Sequence, residues 1–260
     1  MTDRYPPRLQ RGFRRNGPDH RAGADVSFAD IVKIFGFQRV RIGRWVSPAE
    51  TQLAANLFFD ALCDLQLLLA VPAAVISLRG SLQLSFGIGG EPGSCAFYEP
   101  GRRNLALAKN AGGGSLAHEW FHAFDHYICT FLFSDSPSSA FASERWLSQA
   151  PAISHPLTDL LLAGYRHILL DPTGTEPSAL MRRAFQLDSQ FGCFYFARPQ
   201  EVTARFFETM LQQATLKNAF LVSGCLSKAG LPSPYPTAAE AAAGASCWYA
   251  YFAALGRALS

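Results

Sequence analysis

The stretch Ser115-Leu-Ala-His118-Glu119-Trp-Phe-His122-Ala-Phe-Asp125-His126-Tyr127 constrains this chain more than any other. It sets H-E-x-x-H inside an apolar run free of proline, which predicts a helix. Residues four apart on an α-helix sit about 40° apart around its axis, so His118 and His122 project side by side. Two neutral imidazoles held that way grip one Zn²⁺ ion. Glu119, beside the first histidine, is placed to act on a metal-bound water as general base. A purely structural core helix accounts poorly for these ionisable groups among Leu116, Trp120, Phe121 and Phe124. Gly112-Gly113-Gly114 supplies a flexible lead into the helix, and Ser115 is its expected N-cap.

Catalytic zinc takes three protein ligands and keeps one position for water, so a further ligand must come from elsewhere. Asp125 lies about 10 Å along the helix axis from His118, awkward for sharing one ion. It is expected instead to orient a ligand histidine through the other ring nitrogen. His126 is expected at the surface or in a similar supporting place. No H-x-x-G-x-x-H continuation follows, which excludes the three-histidine variant of the motif. Downstream, Tyr195 to Glu208 starts a helix with Pro199 in its first turn. Glu201 and Glu208 share a face of that helix; Glu201 is first in line as ligand, with Glu208 behind it. A first-turn glutamate also favours the helix dipole by about 0.3–1 kcal/mol, so the pattern alone leaves the third ligand open.

At 260 residues the chain can bury one sizeable core. The net charge of +3 is unevenly placed, since Arg4, Arg8, Arg11, Arg14, Arg15 and Arg21 face only Asp3 and Asp19 in the first 21 residues. Residues 1–25 read as a disordered Arg-rich tail, with at most a weak contact to nucleic acid. No apolar segment follows those arginines as in a signal peptide, and the apolar run Leu65 to Leu78 is broken by Pro72, so no membrane span is expected. The six cysteines form no C-x-x-C and read as buried reduced thiols of a cytoplasmic protein.

Ser47-Pro48-Ala-Glu50 and Thr237-Ala-Ala-Glu240 are capping boxes. The first opens a core helix ending before Pro72; the second opens an alanine-rich helix whose Trp248, Tyr249, Tyr251 and Phe252 are expected to pack. Phe35 to Trp45 reads as a short strand or hairpin, Leu82, Leu84 and Phe86 as a strand, and Gly87 to Gly93 as turn-rich. Cys95–Glu99 and Asn104–Ala108 form a hairpin around Pro100-Gly101. Ser134 to Ser148 reads as a polar loop, with helices near 157–170 and 179–188. The expected class is α+β: a small antiparallel or mixed sheet packed on the H-E-x-x-H helix, then a mainly helical C-terminal part. Residues 26–260 form one domain, with the sheet and active-site helix in 26–127 and the third ligand in 128–260. An edge strand of such a sheet can hold an extended peptide.

His118-Glu-Trp-Phe-His122-Ala-Phe-Asp125-His-Tyr127 with Glu201-Val-Thr-Ala204-Arg-Phe-Phe207 resembles the zinc-protease domain of anthrax lethal factor and its relatives. A broader resemblance runs from about Phe35 to the C-terminus, to a large polyvalent protein-associated domain of phages and conjugative elements. It is carried by Gly43-Arg-Trp45, Tyr98-Glu-Pro-Gly-Arg102, Gly114-Ser-Leu-Ala-His-Glu119, Arg198-Pro-x-Glu201-x-x-Ala-Arg-x-Phe-Glu208 and Tyr235-Pro. The resemblance implies a zincin-like fold with one Zn²⁺ on His118, His122 and Glu201, Glu119 as base, and Tyr195 opposite the base. Phe121 stands where that group commonly has glycine, which predicts a crowded site. The expected activity is zinc-dependent hydrolysis of peptide bonds in a peptide or protein substrate by Glu-assisted attack of zinc-bound water. The alternatives are a catalytically idle zincin-fold scaffold associated with mobile-element DNA, or an effector protease delivered into another cell.

Overall fold

The computed structural model describes residues 9, 12–88, 96–109, 113–225 and 233–259. The fold is α+β, with a small mixed four-stranded sheet among helices. The residues gather into two compact units. Unit 1 takes residues 1–68, 72–120 and 215–223; unit 2 takes 69–71, 121–214 and 224–260. The division falls inside one continuous helix, α4 below.

In unit 1, α1 (Phe28–Phe35), β1 (Arg39–Ile42), α2 (Pro48–Leu69), α3 (Ala73–Ile76), β2 (Gln83–Phe86), β3 (Ala96–Glu99) and β4 (Asn104–Leu107) follow in order. The sheet order is β1-β2-β4-β3; β1–β2 and β2–β4 are parallel and β3–β4 antiparallel. β3 and β4 are the expected hairpin, turning on a 3₁₀ turn at Pro100–Arg102 with Arg103 in the left-handed region. Central β2 and β4 are buried at every position, as strands covered on both faces must be. The Phe35–Trp45 stretch supplies one strand and no hairpin, because β1 reaches its parallel partner only after α2 and α3. Most of Gly87–Gly93, together with Cys95, lies outside the described residues.

Both expected capping boxes form. Ser47 N donates to Glu50 Oε2 at 2.8 Å and Thr237 N to Glu240 Oε2 at 2.8 Å. The expected disorder of 1–25 is corrected for residues 12–25, which dock on α2. Asp64 of α2 is fully buried, and a buried carboxylate needs partners. It receives Arg15 Nε and Nη2, both at 2.6 Å, and Asn218 Nδ2 at 2.8 Å. Arg21 Nε meets Asp60 at 3.1 Å. Arg4, Arg8 and Arg11 lie outside the described residues. By length and composition α2 could cross a membrane, but half of its apolar window is buried, and its paired acids fit a core helix.

Unit 2 holds most of α4 (Leu116–Leu132), then α5 (Ala142–Leu147), α6 (Pro156–Leu169), α7 (Ala179–Phe191), α8 (Pro199–Gln213) and α9 (Ala238–Leu259). Its core is aromatic: Phe121 lies 4.8 Å from Phe207 and 5.2 Å from Trp248, and Phe124 lies 5.2 Å from Phe252, between ring centroids. The α9 aromatics therefore pack inward. Ser134–Ser148 is corrected from a loop: α5 forms there because Asp125 accepts from Ser143 N at 3.0 Å at its N-terminus. The reading of the cysteines as buried holds for Cys129 and Cys225 and is corrected for Cys193, which is exposed, and for Cys63 and Cys247, which are half-buried.

Candidate metal centre

α4 begins where Ser115 O accepts from Glu119 N at 3.2 Å. Glu119 and His122 are buried and His118 half-buried. α8 begins at Pro199 with Arg198 extended before it, as a residue preceding proline prefers; this puts Glu201 in the first turn. His122 Nε2 stands 3.4 Å from Glu201 Oε1. His118 follows from α4 itself, one turn before His122. One ligand atom from each of His118, His122 and Glu201 lies within 4.8 Å of the others. Ligands about 2.1 Å from a tetrahedral zinc stand about 3.4 Å apart. Two imidazoles and a carboxylate at this spacing therefore fit Zn²⁺ after small side-chain rotations.

Arg205, one turn beyond Glu201, is buried. Its Nη2 donates to Glu201 Oε2 and its Nη1 to Phe196 O, each at 2.9 Å. The same guanidinium lies 5.1 Å over the Tyr195 ring and 5.5 Å over Phe196. The loop carrying Tyr195 is clamped from the end of α7. Asp188 accepts Tyr195 N at 2.9 Å, Phe196 N at 2.7 Å and Ala197 N at 2.9 Å. Burial opposes the charge on Asp188, yet these N–H groups hold its pKa below the usual carboxylate range. Burial, then the Glu201 charge, push the pKa of the Tyr195 hydroxyl up to about 12.

Asp125 is fully buried, accepting Tyr165 Oη and Ser143 Oγ at 2.6 Å each. Burial lifts its pKa to about 6 against those bonds and against nearby His122. His126 is buried, with its Nε2 2.7 Å from Ser138 O, so of its two expected places the surface one is excluded. Glu208 is buried deeper along α8, where its charge adds to burial in raising the Cys225 thiol pKa, and it is no member of the three-residue cluster. The expected crowding by Phe121 is corrected as well, since its ring is spent on Phe207 and Trp248 in the unit 2 core. Asp188 and Arg205 had no role in the sequence reading. Arg205 at least stood inside the Glu201 motif; Asp188 gave no signal, because its partners are backbone groups.

Residues 187–259 match large polyvalent protein-associated domain 1. The matched segment of that domain covers the last turn of α7, the Tyr195 loop, α8 and α9, and so holds Tyr195, Glu201 and Arg205. It ends short of the H-E-x-x-H helix and of most of the range over which the sequence resembles such a domain. The match points to a phage or mobile-element association. No curated protein and no solved structure matches the chain.

Proposed function

We propose that this chain is a zinc-dependent metallopeptidase with a zincin-like active site. The observation carrying the reading is the approach of Glu201 to His122, 3.4 Å apart, on a helix that also bears His118 and Glu119. His118, His122 and Glu201 would hold one Zn²⁺, which supplies Lewis-acid polarisation of water and of a carbonyl. The chain handles the protons. Glu119 accepts one from the attacking water and returns it to the leaving amine. Tyr195 stays protonated at neutral pH and donates to the carbonyl oxygen as charge develops there. Arg205 holds the Glu201 carboxylate in place and offsets its charge.

The deciding experiment pairs metal analysis of the purified chain with a proteome-wide cleavage screen. Wild type carries one zinc and cleaves; Glu119→Gln keeps zinc and loses cleavage; His122→Ala and Glu201→Ala lose zinc. A wild-type chain that takes up no stoichiometric metal overturns the site. The match of residues 187–259 to a domain of large polyvalent proteins favours one second reading, an idle scaffold of a mobile element. A zinc-loaded wild type inert on every peptide would select it.

A further inference from the structure

Unit 2 contains a cleft of about 430 Å³ between the end of α6, the start of α7 and α9, floored by Phe206 of α8. That volume is typical of small-molecule sites. The acids in its wall are already engaged. Glu240 accepts Arg183 Nη1 at 2.8 Å and Nη2 at 2.7 Å. Asp171 accepts the Thr173 hydroxyl at 2.7 Å and Gly174 N at 2.9 Å.

The cations are not neutralised in the same way. Arg166 gives Nη2 to Thr173 O at 3.0 Å and Arg182 gives Nη1 to Pro177 O at 2.5 Å. Both acceptors are neutral carbonyls, and among the described residues neither arginine forms an ion pair with a carboxylate. The backbone makes room for these side chains. A Cβ at Gly174 would collide with the Arg166 guanidinium, and one at Gly244 with His167 and Phe206. In the last turn of α6, Arg166 and His167 suit the helix dipole without any ligand. Arg182 does not: it lies near the start of α7, where the dipole opposes a cation. An anion placed between Arg166 and Arg182 relieves that conflict.

We propose that this cleft binds a small amphiphilic anion, a phosphate monoester or a carboxylate on a flat apolar body. The head sits between Arg166 and Arg182 with His167 as a further donor, and the body lies against Ile168, Leu180 and Phe206. The site uses none of the groups assigned to peptide hydrolysis, so it stands or falls separately from that reading.

Calorimetric titration of the full chain with 1-naphthyl phosphate and with 1-naphthoate tests it and separates the two head groups. Inorganic phosphate and 1-naphthol serve as half-probes. At least one whole probe is expected to bind about tenfold or more tightly than either half, a difference of about 1.4 kcal/mol. Arg166→Gln with Arg182→Gln should weaken it by at least about tenfold, with the circular dichroism spectrum unchanged. Ala243→Trp, at an exposed wall position of α9, should block it while leaving both arginines in place. Halves that bind as well as the whole overturn the proposal, as does wild-type affinity in both variants, or no binding by either whole probe at about 1 mM.

Discussion

Arg205 connects the Glu201 carboxylate, the Phe196 carbonyl and the Tyr195 ring from one buried position. Replacing it with leucine removes the charged donor from Glu201 while the acid stays largely enclosed. Such one-sided loss costs about 3–5 kcal/mol. If Glu201 is a ligand, losing its orienting partner also weakens metal binding by about 10–100-fold. Arg205→Lys keeps the charge but not the two-pronged fork, so it should recover part of the stability and little of the metal affinity. Urea titration and chelator competition read the two effects separately; equal chelator resistance in all three proteins would remove Arg205 from the site. In sequence, a Glu–Arg pair four apart on a helix reads as a solvated surface pair worth a few tenths of a kcal/mol. Only burial turns it into a positioning device, and burial is not written in the spacing. Asp188 was less legible still.

Among the elements, helices with their own local signals were legible and those formed by distant partners were not. α2 and α9 announce themselves through capping boxes, and β3–β4 through Pro100-Gly101, because each signal lies within a few residues of its effect. α5 lacked such a signal, since the group that receives an N–H of its first turn is Asp125 on another helix. The parallel neighbours of β2 depend on crossover connections, which leave no short-range mark. Phe121 on α4 gives a test of packing. Phe→Ala at such a buried site costs about 3–5 kcal/mol, and glycine in a helix interior about 1 more. Phe121→Gly should therefore lose about 4–6 kcal/mol in denaturant titration, instead of relieving a crowded site. The start of α9 gives a pH test. The Arg183 hydrogen bonds, chiefly, lower the Glu240 pKa against its burial. A lowered folded-state pKa stabilises above the ordinary glutamate value, and that contribution is lost as pH falls through the folded-state value. Wild type should lose about 1 kcal/mol more than Glu240→Gln on acidification from neutrality. Urea midpoints down to about pH 3 check this; parallel curves would detach Glu240 from the stability of α9.

At the scale of the whole molecule, the sequence periods predict α4 and α8 separately, but no period says that Glu201 should come to His122 across the long helical segment between them. The resemblance to lethal-factor-like proteases supplied that pairing, and in the fold the two groups stand 3.4 Å apart. The docking of residues 12–25 had a signal that composition masked: Asp60 and Asp64, four apart among Phe58, Phe59, Ala61, Leu62 and Leu65, need cations, and Arg15 and Arg21 were available. A metal on ligands from two distant helices binds the folded chain and not the unfolded one. It therefore stabilises by RT ln(1 + [L]/Kd), about 2.7 kcal/mol at a hundredfold excess over Kd. For a chain of this size that raises the melting midpoint by about 5–10 °C. Zinc should do this for wild type and equally for Glu119→Gln, whose altered group is a base and not a ligand. Zinc should leave His122→Ala and Glu201→Ala where chelator leaves wild type. Scanning fluorimetry with zinc and with chelator separates the outcomes. A Glu201→Ala protein that zinc stabilises like wild type would strip that acid of its ligand role while leaving the two histidines theirs.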